Sequence, residues 1–291
     1  MTSVALEGAR RGVAWRDVVV LLKLRIDALV VLVALAAAVT AGTRDPLTLT
    51  VLGGACLSAS AGASALNHYV DRAFDERMAR TRSRPLPSGR ADPRLALAVG
   101  AGLVAASQLA ALRLGVVASA YLLAGAATYA VVYSWWLKPR TPYSTVLGGA
   151  AGSFAALAGW QTGASTWTPA ALLLAMVLFL WTPSHFWSLA IVLERDYRAA
   201  GLPILSAVAG AQRTARAVVA NTAGLVVLSL LLGAYVAWPY LALAVPAGGG
   251  FLTLSVWLAR RPDTARAFLT FKLSGLYLLA LLVGLVLSTL A

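Results

Sequence analysis

The stretch NHYVDRAFDERMARTRSRPLPSGR, residues 67–90, directly follows a long apolar run and marks where a membrane helix reaches the surface. Its side chains Asn67, Asp71 and Asp75 recur every fourth residue. Positions with that spacing lie on one face of a helix, one above the other. The spacing therefore predicts a ladder of oxygen ligands that suits Mg²⁺, a metal usually held by one or two carboxylates together with substrate phosphates.

Arginines crowd the same stretch, with seven of them between Arg72 and Arg94. Arg82 and Arg84 come just before a turn whose prolines restrict the backbone. A stiff loop of this kind can present guanidinium groups to a diphosphate in a fixed geometry. We therefore predict that Arg72, Arg82 and Arg84 bind diphosphate beside the ladder. The alternative is that these arginines set membrane orientation and contact lipid headgroups.

Composition places the chain in a membrane. Of its 291 residues, 60% are hydrophobic and only 12% are charged, whereas soluble domains carry roughly 25% charged residues. We predict an all-α polytopic membrane protein with one transmembrane domain, 26–291, after an N-terminal segment, 1–25. Nine spans near the required length of about 20 residues fall at approximately 26–43, 47–68, 94–112, 115–136, 144–163, 168–191, 216–235, 238–258 and 268–289.

The basic residues test that count. If residues 1–25 lie in the cytoplasm, only Arg44 and Arg113 of the 24 lysines and arginines fall on the outer side. This asymmetry is what the positive-inside rule predicts for the cell membrane. The ladder then faces the cytoplasm. The net charge of +13 thus reflects orientation, the lipid bilayer and anionic ligands, and we expect no nucleic-acid partner because no basic domain with interleaved aromatic residues is present.

A second group of polar residues follows the sixth predicted span, in WTPSHFWSLAIVLERDYRAAGLPIL, residues 181–205. Glu194 and Asp196 occupy the same membrane end as Asp71 and could supply a second metal site, or could simply pair with neighbouring arginines. His185 lies inside the span. It is either a packed, hydrogen-bonded residue or a ligand contact, since neutral imidazole binds haem iron.

Two further cations lie in the third predicted cytoplasmic loop, WLKPRTPYS. Lys138 and Arg140 could form a cationic wall for the diphosphate, or could anchor the loop at the membrane surface. Lys23 and Asp27, at the start of the first span, are expected to be interfacial rather than catalytic.

Four motifs together resemble a known family. NHYVDRAFD matches the N-x-x-x-D-x-x-x-D signature of the UbiA superfamily of intramembrane aromatic prenyltransferases, and RTRSRPLPSGR, LKPRTPYSTVLGGAAG and LFLWTPSHFWSLA with DYRAAGLPIL are similar to the branch that farnesylates protohaem IX. The resemblance covers roughly residues 15–290. It implies nine helices around a central cavity. Asn67, Asp71, Asp75, Asp196 and Glu194 would hold Mg²⁺, although the D-x-x-x-D pattern of many second motifs is missing here.

The implied reaction joins farnesyl diphosphate to a vinyl group of haem B, followed by water addition. His185 would contact the haem, through its iron or a propionate. Handover of the product to a haem A synthase or a terminal oxidase is a family expectation. Two alternatives stay open: a related enzyme acting on a quinone-ring precursor, and a haem-handling membrane protein or transporter without catalytic activity.

Overall fold

The computed structural model describes residues 15–291, and the regular elements of this part of the chain are all helices, with no β-strand. Residues 1–14 of the predicted N-terminal segment lie outside the described residues. The helices are α1 (Trp15–Leu22), α2 (Leu24–Thr40), α3 (Pro46–Asp75), α4 (Pro93–Ala111), α5 (Val116–Ala127), α6 (Ser144–Gly148), α7 (Ala150–Gln161), α8 (Pro169–Val192), α9 (Glu194–Ala199), α10 (Leu205–Leu232), α11 (Pro239–Arg260) and α12 (Thr264–Leu287). A 3₁₀ turn, Leu112–Leu114, extends α4, and a π-helix, Thr128–Leu137, extends α5.

Local sequence sets where the long helices begin. Asp45, Asp92, Thr168 and Asp263 each accept a hydrogen bond from a backbone amide in the first turn of the following helix. A proline comes next in three of the four cases, at Pro46, Pro93 and Pro169. Proline suits this position because its missing amide hydrogen would have no partner there.

Seven of these helices are long and apolar enough to cross a membrane. The other two predicted spans correspond to α2, which has 17 residues, and to the α6–α7 pair, which is interrupted at Gly149. A methyl group on Gly149 would lie 2.7 Å from the carbonyl oxygen of Phe179 in α8. That carbonyl lacks an intrahelical donor because Pro183 stands four residues later.

Small residues allow the helices to approach closely. A Cβ on Gly159 would lie 2.0 Å from the carbonyl oxygen of Ala34, so α7 and α2 touch backbone to backbone. The same applies where Gly62 of α3 meets Gly100 of α4. In a bilayer, where no hydrophobic force drives helices together, such close packing is a main source of association.

Polar contacts assign the loops to two ends of the bundle. The hydroxyl groups of Thr43 and Thr162 are 2.8 Å apart, which brings the loops after α2 and α7 together. At the other end, Lys138 after the π-helix reaches Asp71 at the end of α3. The loops after α2 and α7 therefore lie together, and the loop after the π-helix lies at the ladder. Which end faces the cytoplasm stays a prediction.

Candidate active site

The last two turns of α3 carry the predicted ladder. Asn67, Asp71 and Asp75 are all buried, at most 3% exposed. The Asn67 amide nitrogen donates to Asp71 Oδ2 at 2.8 Å and to Ser134 Oγ in the π-helix, also at 2.8 Å. The helix thus places all three side chains in the interior, as the spacing predicts.

A lysine from another helix neutralises the middle of the ladder. Lys138 donates its ammonium to Asp71 Oδ2 at 2.5 Å, and the pair is buried. The π-helix contributes to this geometry because its wider turn shifts the residues that follow it. The Lys138 amide, for example, bonds to the Tyr133 carbonyl five residues earlier. Of the two cations predicted in this loop, the structure brings Lys138 to the ladder.

Lys23 was expected to be interfacial, but the structure places it at the ladder. Its ammonium donates to Asn67 Oδ1 and, at 3.1 Å, to the hydroxyl of Tyr129. Lys23 links α1 to α2 in a left-handed conformation, φ +49°, unique among the described non-glycine residues. Burial, together with the nearby Arg84 guanidinium, lowers the pKa of Lys23 to about 7. Lys23 is therefore a member of the site rather than an interfacial residue.

Arg84 completes the cationic side. Its guanidinium donates to Asp75 Oδ2 at 2.8 Å. The loop that carries it is fixed at its start, because the Thr81 hydroxyl donates to the Asp75 carbonyl at 2.9 Å. Three cations from separate parts of the chain, Lys23, Lys138 and Arg84, therefore converge on the ladder.

The other predicted diphosphate ligands have local partners instead. Arg72 donates to the Tyr69 carbonyl at 2.6 Å and stacks on the Tyr69 ring. Arg140 donates to the carbonyls of Trp135 and Trp136, and its side chain is exposed. Arg82 is exposed as well. The structure does not place these three arginines at the ladder.

The second acidic region, which begins at Glu194, packs against the loop that follows the ladder helix α3. Met78, from the loop after α3, packs in one apolar cluster with Tyr197 of α9. Burial raises the pKa of Tyr197 to about 12, and Tyr197 is close enough to sense the charges of Arg80, Asp71 and Asp196. Asp196 is partly buried, whereas Glu194 pairs with Arg198 at 2.8 Å. The structure thus favours Asp196 over Glu194 as a second contributor.

The donor set fits a divalent metal held jointly with a diphosphate. Among residues 15–291, no group of three or more histidine, cysteine, aspartate or glutamate side chains could hold a metal by itself. However, Asp71 Oδ1 is buried without any hydrogen-bond partner. A hard cation that takes most of its ligands from phosphate and water needs only one or two such oxygens. Asp71 and Asp75, with Asn67 beside them, meet that need.

Two further polar side chains, Asp27 and His68, are buried near the ladder. Asp27 is fully buried, and its Oδ1 accepts from Ser60 at 2.6 Å and from Ser64 at 3.3 Å. This contradicts its expected interfacial position. His68 is only 1% exposed, and neither ring nitrogen has a hydrogen-bond partner. A polar residue within an apolar run is the signal in both cases.

His185, the predicted haem contact, lies in α8 and packs against two aromatic rings. Its ring centroid is 4.4 Å from that of Trp181 and 4.5 Å from that of Phe271 in α12. Its Nδ1 is 2.6 Å from Ser274 Oγ. The imidazole is therefore held in a single orientation by α12.

Comparison with known proteins agrees with this architecture. The profile of the UbiA prenyltransferase family matches residues 28–285. The chain belongs to the UbiA prenyltransferase family. It is 43% identical over 265 residues to protoheme IX farnesyltransferase 2 of Paramagnetospirillum magneticum, covering 89% of this chain and 92% of that protein.

Two solved structures share the UbiA fold. A UbiA homologue from Aeropyrum pernix superposes with a TM-score of 0.75 at 18% identity, over 90% of this chain and 98% of that one. A UbiA homologue from Archaeoglobus fulgidus bound to DMAPP and Mg²⁺ gives a TM-score of 0.70 at 16% identity, over 92% and 99%. The family match and the long apolar helices together make this UbiA member a multi-pass membrane prenyltransferase.

Proposed function

We propose that this protein transfers the farnesyl group of farnesyl diphosphate to a vinyl group of haem B, with addition of water, giving haem O and diphosphate. The observation that carries the proposal is the buried Asn67–Asp71–Asp75 ladder facing three cations. The 43% identity to a protoheme IX farnesyltransferase over most of both chains supports haem as the acceptor. We further propose that residues 26–291 form one nine-helix domain around a central cavity.

The ladder end would bind the diphosphate. Asp71 and Asp75, assisted by Asn67 and Asp196, would hold Mg²⁺, which when bound offsets the negative charge of the departing diphosphate. Lys23, Lys138 and Arg84 would add direct contacts to the diphosphate oxygens. Donors placed in advance where charge develops stabilise a transition state without reorganisation.

The membrane interior would accommodate the reacting carbons. As the bond from farnesyl C1 to the diphosphate oxygen breaks, an allylic cation develops and the haem vinyl carbon forms a bond to C1. The new cation lies beside the porphyrin and is captured by water, which then loses a proton. An apolar surrounding keeps water away until the carbon–carbon bond has formed. No protein nucleophile is required.

The proposed setting is the cell membrane, with the ladder open to the cytoplasm. The basic residues at that end of the bundle support this orientation through the positive-inside rule. Haem O leaving the enzyme would then pass to a haem A synthase or a terminal oxidase.

One assay tests the function. Purified protein is incubated with haem B, farnesyl diphosphate and Mg²⁺, and the haem fraction is analysed by mass spectrometry. We expect a product heavier by one farnesyl group plus one water, absent when EDTA replaces Mg²⁺ and restored when Mg²⁺ is added back. Unchanged haem together with prenylation of a hydroxybenzoate-type acceptor would instead support a quinone-ring prenyltransferase. Haem binding with no prenylation of either acceptor would support a non-catalytic role.

A further inference from the structure

The imidazole of His185 is fixed on three sides. The Trp181 ring stacks on it and the Phe271 ring packs against it at a tilt, at 4.4 and 4.5 Å between centroids. Its Nδ1 edge contacts Ser274 Oγ at 2.6 Å. Trp181 is itself fixed to the same residue, since its indole nitrogen donates to the Ser274 carbonyl at 2.8 Å. The imidazole meets a side-chain hydrogen-bonding group at Nδ1, so its Nε2 edge is the side left for a ligand.

The hydrogen bonds of Ser274 determine which tautomer His185 adopts. Ser274 Oγ lies 2.6 Å from the Phe271 carbonyl oxygen, and a carbonyl cannot donate, so the serine proton lies in that contact. Towards His185, the Ser274 oxygen can then act only as a hydrogen-bond acceptor. The 2.6 Å contact between Nδ1 and Oγ therefore requires a proton on Nδ1. In a neutral imidazole this leaves the lone pair on Nε2.

We infer that His185 binds haem through coordination of the iron by Nε2, and that Ser274 is the positioning residue that holds this tautomer. Haem iron is coordinated by a nitrogen lone pair that lies in the plane of the imidazole ring. The neighbouring aromatic rings leave the edge of the imidazole for that bond. A histidine that ligates a metal commonly donates its other N–H to an oxygen, which fixes its orientation and raises its basicity. Ser274 plays that part here.

The same geometry argues against a propionate contact. A carboxylate needs a hydrogen-bond donor or a positive charge, and the Nε2 of this tautomer offers neither. The chain has two histidines, and His68 is the other candidate for an iron ligand. His68 belongs to α3, next to Asn67 of the ladder, and only 1% of it is exposed. His185 is the more accessible of the two.

The identity of the ligand as haem rests on the proposed function, but the test does not require turnover. Full-length protein in detergent is titrated with haem B, without farnesyl diphosphate, and followed by absorption and resonance Raman spectroscopy. We expect the wild type to show a histidine-ligated spectrum. His185→Ala should lose that spectrum and weaken haem binding about tenfold or more, and added imidazole should restore the ligated spectrum.

Ser274→Ala tests the positioning role. This variant should still bind haem, with a lower iron–histidine stretching frequency in the ferrous state, because Nδ1–H loses its acceptor and the imidazole becomes less basic. Ser255→Ala is the matched control, since Ser255 is a buried serine that donates to the Phe251 carbonyl in the same way but has no histidine partner. Its frequency should equal that of the wild type.

Three results would overturn the inference: a ligated spectrum that persists in His185→Ala, one that disappears instead in His68→Gln, or equal frequencies in the two serine variants. These outcomes are separate from failure of the proposed function. If haem is ligated by His185 but never farnesylated, the inference stands and the enzymatic proposal falls. If farnesylated haem forms without any histidine-ligated species, the reverse holds.

Discussion

At the scale of single residues, the site is a set of opposite charges arranged before any ligand arrives. Asp71 pairs with Lys138 and Asp75 with Arg84, and both aspartates are buried. Buried ion pairs contribute little net stability because removing charges from water offsets their attraction. Their position in the apolar interior therefore favours a role in binding a charged substrate.

The isosteric change Asp71→Asn tests the metal role. It removes one negative charge and the unpartnered oxygen Oδ1 while keeping the shape. We expect turnover to fall roughly 100-fold or more, with the protein still monodisperse in detergent. The measurement is the rate of haem O formation over a range of Mg²⁺ concentrations.

The control for that variant is Glu76→Gln, one residue beyond the end of α3 and exposed. It removes the same charge at the same end of the helix, but from a side chain that is exposed rather than buried in the site. Its rate should equal that of the wild type. A near-normal rate in Asp71→Asn would exclude this carboxylate from metal binding.

Lysine substitutions test the cationic side. Lys23→Met and Lys138→Met should each raise the KM for farnesyl diphosphate at least tenfold, because each loses a charge-assisted contact, a kind typically contributing about 1.5–3 kcal/mol. Lys272 is the third lysine of the chain; it is exposed and stacks on Phe268.

Lys272→Met is therefore the matched control, and its KM for farnesyl diphosphate should be unchanged. Equal KM values in all three methionine variants would show that Lys23 and Lys138 do not bind the diphosphate.

At the scale of helices, close packing positions the ladder against its partners. The α2–α7 crossing depends on Gly159, whose Cβ would overlap the carbonyl of Ala34. The π-helix Thr128–Leu137 supplies Tyr129 and Ser134, which contact Lys23 and Asn67, and leads into Lys138. Neither feature follows from hydropathy, since both reflect the geometry of neighbouring backbones.

Gly159→Ala should destabilise the α2–α7 crossing. The added methyl group requires the two backbones to separate, which we expect to cost about 1–3 kcal/mol, the usual range for overpacking. The measurement is the midpoint of thermal unfolding in detergent, which should fall by several degrees.

Gly54→Ala provides the comparison, because a Cβ there meets no atom within 4 Å. Its midpoint should stay at or above that of the wild type, since alanine favours helix more than glycine does. Similar losses in both variants would contradict a specific contact at Gly159.

At the scale of the whole molecule, the loops that carry Arg84 and Lys138 share one end of the bundle with the ladder. Cysteine labelling can determine which side that end faces, because the single native cysteine, Cys56, is buried. Ser83, after α3, and Ser165, after α7, are both exposed, and we expect them at opposite ends of the bundle.

In intact cells, an impermeant maleimide should label Ser165→Cys directly and Ser83→Cys only after permeabilisation. This result is expected from the positive-inside rule, since nearly all basic residues are predicted to lie on the Ser83 side. The reverse labelling pattern would invert the proposed orientation.

The amino-acid sequence by itself determined the membrane class, the approximate helices, the segregation of charge and the Asn67–Asp71–Asp75 ladder. These features depend on local periodicity, and a helix of 3.6 residues per turn converts spacing directly into a face. The family followed from the same local motifs.

The tertiary structure alone decided which cations meet the ladder. Lys23 and Asn67 are 44 residues apart in the sequence. A contact between residues so far apart cannot be predicted from local sequence patterns. Arg72 and Arg140 have equally suitable side chains, yet carbonyls of their own helical segments already accept their hydrogen bonds. Likewise, His185 acquired a defined tautomer only because α12 brings Ser274 within hydrogen-bonding distance. Residue type sets what a side chain can bind, but the packing of distant helices decides which partner it meets.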